Sequence, residues 1–290
     1  LKEQIVIQDE QPYPKPVQPL SQNIYYNKKN RLSVSFPFGY SSTPPKELNN
    51  HIEGVHTSNE TNYQPIFQVI RKAEQAISYG IAFNKTVTQK YGVELGFKKI
   101  QYIMPVRTVS SNYGFDHYID LDLGFEYREE YQNINHDTYY LTLNSNILEY
   151  SILNRPFSVL IGVGLNYSSA GLDFSKYKKV ATWDHNKKRT VEEWPSSHYG
   201  GSGRGYQMQI ASEFQLFPKM VIYLSYYIIQ GYNGTLSGES KMVKSTFGDD
   251  YHSPPITTNY NNHILEDHYG NPLHINFFYQ MMEVKLGYVF

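Results

Sequence analysis

Ten histidines are the side chains of this 290-residue chain best suited to acid–base chemistry near neutral pH. Several stand beside an acid or a hydroxyl in sequence: Asp116-His117, His136-Asp137, Asp184-His185, Ser197-His198, His252-Ser253 and Asp267-His268. An imidazole with a carboxylate and a hydroxyl is the raw material of hydrolases and acyltransferases. Adjacent residues on a strand point to opposite faces, however, and a nucleophile–base pair is defined by geometry rather than by order. No residue is therefore assigned a catalytic role, and Ser197 with His198 is the pair to test first. No HExxH or comparable ligand spacing occurs, so no metal site and no cofactor is expected. The run Gly200-Gly201-Ser202-Gly203-Arg204-Gly205 lacks the Lys-Ser/Thr of a phosphate loop and reads as a flexible loop re-entering the next element.

Composition removes other classes. The chain has no cysteine, so thiol chemistry, Cys-ligated zinc, iron–sulfur clusters and an acylated mature N-terminal Cys are not expected. The formal charge of −1 gives no basic footprint for nucleic acid. Mean hydropathy is −0.53, yet the chain holds 28 Tyr and 15 Phe. A membrane β-barrel has this profile: every second residue forms an apolar belt, and aromatic girdles mark both interfaces.

The elements that would carry any site are period-two strands. From 281 to 290, Met282, Val284, Leu286, Tyr288 and Phe290 share one face, against Met281, Glu283, Lys285, Gly287 and Val289. The same alternation runs through Arg31–Tyr40, Gln75–Thr86, Tyr91–Ile103, Asp137–Ser151, Phe157–Ser168, Tyr206–Leu216, Met220–Gly231 and Leu273–Phe290. Within these spans Glu94, Lys98, Glu213, Glu283 and Lys285 all fall on the polar face. An eight-stranded barrel is just wide enough for side chains to fill, so these charges are expected to pair inside a plugged lumen.

Connection lengths supply a separate constraint. The links 87–90, 152–156 and 217–219 are short, whereas 41–74, 104–136, 170–205 and 232–273 hold 34, 33, 36 and 42 residues. Strict alternation of short and long fits periplasmic turns and extracellular loops, with both ends of the barrel periplasmic. The expected fold is all-β: an antiparallel up-and-down transmembrane barrel of eight strands with long extracellular loops. Tyr118–Glu130 alternates as well as any strand and is expected to form a hairpin arm extending the wall above the membrane. A ten-stranded barrel, with a further strand near Tyr63–Ile70, is the alternative.

Residues 1–30 form a separate, proline-rich unit, with Pro12, Tyr13, Pro14, Pro16 and Pro19 close together. Prolines favour extended polyproline geometry, so this reads as a periplasmic arm for partners, with the barrel at 31–290. No secretory leader is visible, and Leu1 is expected to lie at or after a cleavage point unless the chain is trimmed. The long segments carry many aromatics, of which Trp183, Trp194, Tyr199 and Tyr251 are candidate surface-binding residues.

The stretch Ile77–Ile103 (ISYGIAFNKTVTQKYGVELGFKKIQYI) resembles the strand–turn–strand unit of Bacteroidota outer-membrane β-barrels of the PorT and OmpA-like kind. Tyr139–Tyr167 is similar to the unit that follows it. Leu286-Gly287-Tyr288-Val289-Phe290 resembles the signal read by the barrel-assembly machinery, with Leu286, Tyr288 and Phe290 as its apolar positions. The resemblance implies residence in the outer membrane of a Gram-negative bacterium, contact with outer-membrane lipid and lipopolysaccharide, and usually no catalysis. It further implies an accessory or scaffolding role in a larger outer-membrane machine for secretion (type IX included), assembly or uptake. Partners would be other outer-membrane or periplasmic proteins. The loops are longer than in a minimal OmpA-like barrel and no peptidoglycan-binding domain is expected after the barrel, so a cell-wall anchoring role is not expected. A small outer-membrane lipid hydrolase, acyltransferase or protease using loop histidines is the alternative, and a narrow pore or surface receptor a further one.

Overall fold

The computed structural model describes residues 30–43, 46–54, 65–71, 73, 75–102, 106–112, 124–153, 155–181, 189–248, 252–266 and 270–290. In chain order the elements are β1 Leu32–Ser41, α1 Lys46–Gly54, β2 Pro65–Arg71, β3 Ala76–Thr86, β4 Tyr91–Tyr102, β5 Val106–Asn112, β6 Gly124–Ile152, β7 Arg155–Ala181, β8 Arg189–Phe217, β9 Met220–Thr235, β10 Ser237–Phe247, β11 Ile256–Ile264 and β12 His274–Val289.

Eight of these strands close a ring in the order β1–β3–β4–β6–β7–β8–β9–β12, every pair antiparallel. β12 returns to β1 with Ser33 opposite Val289 and Ser41 opposite Met281. Closure leaves the ring no unpaired edge, which is what a sheet needs in lipid, where no water is present to satisfy backbone groups. Among the described residues no helix is long and apolar enough to cross a membrane, so crossing falls to the strands.

The exterior is apolar because the pleat sends alternate residues outward. Phe36, Phe38, Leu95, Leu141, Leu143, Val163, Leu165, Met208, Ile210, Leu224, Val284 and Leu286 are all exposed around the ring. Tyr40, Tyr79, Tyr139, Tyr167, Tyr206 and Tyr226 stand on the same outer face toward one end, and Tyr91, Tyr150, Phe217 and Tyr288 toward the other. A continuous band of this kind is unstable in water and is matched by a hydrocarbon layer flanked by interfaces. The chain is a transmembrane β-barrel.

At one end the strands are joined tightly, through 87–90, 153–154 and Pro218–Lys219. The β6–β7 turn is narrower than the 152–156 expected, because Leu153 adopts φ 51° and reverses the chain within two residues. At the other end three of the four long connections, 104–136, 170–205 and 232–273, are mostly strand rather than loop, and 41–74 holds α1 and β2. β6, β7 and β8 continue well beyond the ring, to 29, 27 and 29 residues. β5 pairs with the upper part of β6 and β2 with β5, while β10 pairs with the upper part of β8 and β11 with β10. Beyond the belt the barrel thus becomes an open half-shell of seven strands, β2–β5–β6–β7–β8–β10–β11.

This layout settles several expectations. The segment Gly124–Glu130 is the upper end of β6 in a hairpin with β5, so it extends the wall and adds no ninth strand; residues 118–123 lie outside the described residues. β2 does form near 63–70, but it sits off the ring, and the barrel stays at eight. Gly200–Gly205 is continuous β8 strand and not a flexible loop, since its backbone is paired to β7 on one side along its length and, at Gly200, to Ser237 of β10 on the other. Alternation failed as a signal there because glycine has no side chain to alternate.

Where the half-shell is open, α1 covers the lumen. Leu48 enters the apolar cluster below. Asn49 clamps the Ala73 backbone in both directions at 3.0 Å, and the Asn276 amide donates to Glu47 Oε2 at 3.4 Å.

Two measurements check this fold. In detergent the chain should migrate faster before boiling than after; one band under both conditions would overturn the barrel. Val163→Arg, on the outer face, should destabilise the protein by about 2–4 kcal/mol in urea titrations in lipid, with Val163→Leu near neutral.

Candidate functional site

The lumen is filled in three layers. The middle one is ionic. β4 contributes Glu94 and Lys98, four residues apart and so on one face, and β12 contributes Glu283 and Lys285 two apart. Lys285 Nζ lies 2.6 Å from Glu94 Oε1 and 3.7 Å from Glu283 Oε1, and Lys98 Nζ lies 2.9 Å from Glu283 Oε2. The last contact is an ion pair by distance, but its angles fall outside hydrogen-bond alignment, leaving Coulomb attraction as its main component. All four side chains are essentially without solvent contact. Tyr140 of β6 donates to Glu94 Oε1 at 2.8 Å, and Lys98 Nζ sits 3.3 Å from the centre of the Tyr227 ring of β9. Two carboxylates and two ammoniums sum to zero, which is the condition for keeping them away from water.

Toward the tight-turn end, Arg31 Nη2 donates to Glu213 Oε1 at 2.7 Å and to the Tyr223 hydroxyl at 3.3 Å. A cavity of about 40 Å³ beside them has space for roughly one water. Glycines set the neighbouring contacts. Gln207 donates to Thr142 at 2.6 Å and Gln209 to Asn144 at 2.5 Å, reaching from β8 to β6 across β7. They meet because β7 places Gly164 and Gly162 between them; a Cβ at either position would collide with these side chains. The glycine alternation of this strand marks the place where side chains bridge over it.

The upper layer is apolar. Ile100, Tyr102, Ile134, Leu172, Phe277 and Tyr279 are among its buried members. His136 is buried there and not in a loop: it stacks on Phe277 at 5.1 Å, and its Nε2 accepts from the Tyr232 amide at 3.2 Å. That contact fixes Nε2 as an acceptor, so His136 is a satisfied core residue. The Tyr232 ring lies over Gly201 and Gly203, where any Cβ would crowd it. The glycine-rich run is therefore a flat bed for a tyrosine.

Of the sequence-predicted residues, Glu94, Lys98, Glu213, Glu283 and Lys285 lie together inside the ring. Ser197 and His198 are separated by the pleat: Ser197 is 3% exposed on the core side, while the His198 side chain is 73% exposed on the outer side. His198 Nδ1 instead makes a short contact with Asp173, its cross-strand neighbour on β7. Asp173 also accepts from Asn133 at 3.2 Å. Sequence reasoning missed Asp173, because its pairing depends on the register of a hairpin it took for a loop. Ser197 cannot serve His198 as a nucleophile across the wall. Among the described residues no cluster of three His, Asp or Glu side chains is arranged to hold a metal.

Tyr199 is a core residue and not a surface aromatic. It stacks on Phe174 at 5.7 Å, and its hydroxyl meets His263 Nδ1 at 2.9 Å. Burial pushes the Tyr199 hydroxyl up, holding it protonated. Trp194 is half-buried on β8 with Lys176 Nζ 4.9 Å from its ring. Trp183, Tyr251 and the proline-rich arm with Pro12, Tyr13, Pro14, Pro16 and Pro19 lie outside the described residues. Leu286, Tyr288 and Phe290 point outward, with Tyr288 and Phe290 edge to face at 5.2 Å.

No family model matches this chain, and no curated protein sequence matches it. Among solved structures it is similar to the outer membrane protein OprG from Pseudomonas aeruginosa, at 10% identity over 90% of this chain and 96% of that one, with a TM-score of 0.38. It is also similar to a major outer membrane protein from Thermus thermophilus, at 11% identity over 89% and 99%, with a TM-score of 0.35. The outer membrane protease OmpT from Escherichia coli matches at 8% identity over 93% and 100%, with a TM-score of 0.27. Such values transfer no activity, and the fold stands on the strand pairing of this chain.

The ionic layer makes a sharp prediction. Lys285→Met leaves Glu94 buried without its ammonium and should cost about 3–5 kcal/mol in urea unfolding in micelles. The double change Lys285→Met with Glu94→Gln should recover most of that loss. A single variant as stable as the parent would show that the layer is hydrated.

Proposed function

We propose that this protein is an outer-membrane barrel with a closed lumen that works by binding, as an accessory or scaffolding subunit of a larger outer-membrane assembly. The observation that carries this reading is the filled interior. Ionic, bridging-amide and apolar layers occupy the ring from the Arg31–Glu213 pair upward, and α1 lies over the top. A lumen packed in this way offers no continuous aqueous route, so what the protein presents to its surroundings is its outer surface. In this reading the tight turns face the periplasm, and the half-shell stands on the cell exterior. The tall wall of β6, β7 and β8 is then a rigid scaffold for partners, with β2 and β11 as its borders. The terminal outward positions Leu286, Tyr288 and Phe290 act as an assembly address, and the arm at 1–30 reaches periplasmic proteins.

Planar-bilayer recording tests the closed lumen: reconstituted protein should give no stepwise conductance, and a steady open current would overturn the reading. Deleting residues 237–264 removes β10 and β11 while leaving the ring strands intact. In mild-detergent purification from native membranes that deletion should strip away any stoichiometric partner held by the intact chain. A lone species from intact cells would count against the accessory role.

A further inference from the structure

We infer that the outer face of the half-shell, where β7, β8, β10 and β11 run side by side, is a binding site for a neutral saccharide. The inference rests on this face alone and does not depend on the partner-binding role. Register aligns Asp173 with His198, His198 with Glu239, and Lys241 with Asn259. Alternation puts these side chains, with Asn261, on the side opposite Tyr199 and the core. The outer surface of a barrel wall is ordinarily convex. Here three register shifts fall close together, between Phe174 and Lys176, Ser240 and Val243, and Gly238 and Ser240. Irregularities of this kind bend and twist the sheet locally. A cavity of about 450 Å³ results, within the roughly 300–1,000 Å³ typical of small-ligand sites.

The chemistry of the lining selects the ligand. Asp173 is engaged by His198. Among the described residues, no hydrogen bond or ion pair engages the side chains of Glu239, Lys241, Asn259 or Asn261. The cavity therefore holds unused capacity of every kind: a carboxylate that accepts, an ammonium that donates, and amides that do both. With Asp173 already held by His198 and Asn133, the charges left unengaged at the cavity, Glu239 and Lys241, are one of each sign, which favours neither a phosphate nor a polycation. The acids are not arranged to hold a metal. A ligand dense in hydroxyls, each able to donate and accept, matches this lining. A carboxylate accepts from sugar hydroxyls, and the amides and ammonium fix their orientation.

The test uses the full chain in detergent, with maltohexaose and chitohexaose as probes in equilibrium dialysis. Saturable binding of at least one sugar is expected. Glu239→Ala and Asn261→Ala should each weaken it by about tenfold, the loss of one hydrogen bond to a charged or amide partner. Both positions are exposed, and retention of heat-modifiable migration confirms that each variant folds. No saturable binding of either sugar would overturn the site, as would equal binding by the variants. Binding of tetralysine or inorganic phosphate at this face in preference to the sugars would overturn the ligand class.

Discussion

A closed ring of eight strands has a fixed circumference, and this constraint governs the rest of the molecule. The outward residues must satisfy lipid, and the inward ones must satisfy one another in a space too narrow for bulk water. The Glu94–Lys98–Glu283–Lys285 group is the solution adopted at mid-height. It joins β4 to β12 across two intervening strands, so each charge is neutralised by a partner distant in sequence. Buried ion pairs contribute little net stability against an apolar alternative, but removing one member is costly. The group therefore specifies which strands face each other more than it strengthens the fold.

The two ends of the ring differ because only three adjacent strands, β6, β7 and β8, continue past the belt. β5 and β10 take over their free sides, β5 pairing with β6 from Glu130 upward and β10 with β8 from Gly200 upward, and a barrel becomes a half-shell. Above the shorter strands the lumen would be open, and α1 with the apolar cluster occupies that space. Glycine serves the interior throughout. At 162, 164, 201 and 203 its missing side chain is the room used by Asn144 and Gln209, by Thr142, and by Tyr232.

Much of this was legible in the sequence wherever alternation was strong. In β1, β3 and β12 the outward Phe, Tyr and Leu face inward Ser, Gly, Glu and Lys, so both the strand and its sidedness could be read. The five lumen charges followed from that sidedness. Legibility ended where the two faces became alike. Above the belt both sides of β7 and β8 meet polar surroundings or protein, the period-two contrast fades, and strands read as loops. His136 and Tyr199 were misplaced for that reason. Asp173 was invisible because its link to His198 is a cross-strand register, which local sequence does not encode.

The pairing of β1 with β12 has a kinetic consequence. Ser33 opposite Val289 is the contact between ring neighbours farthest apart in the chain, whereas β6–β7 and β8–β9 are joined by two-residue turns. Bringing distant segments together costs loop entropy that local hairpins avoid. The hairpins can therefore form early and the seam must seal last. Until it does, two bare strand edges lie exposed, and the ionic group that includes Glu283 and Lys285 is incomplete. Sealing the seam and neutralising the interior are one event, which makes the assembly of this barrel cooperative at its final step.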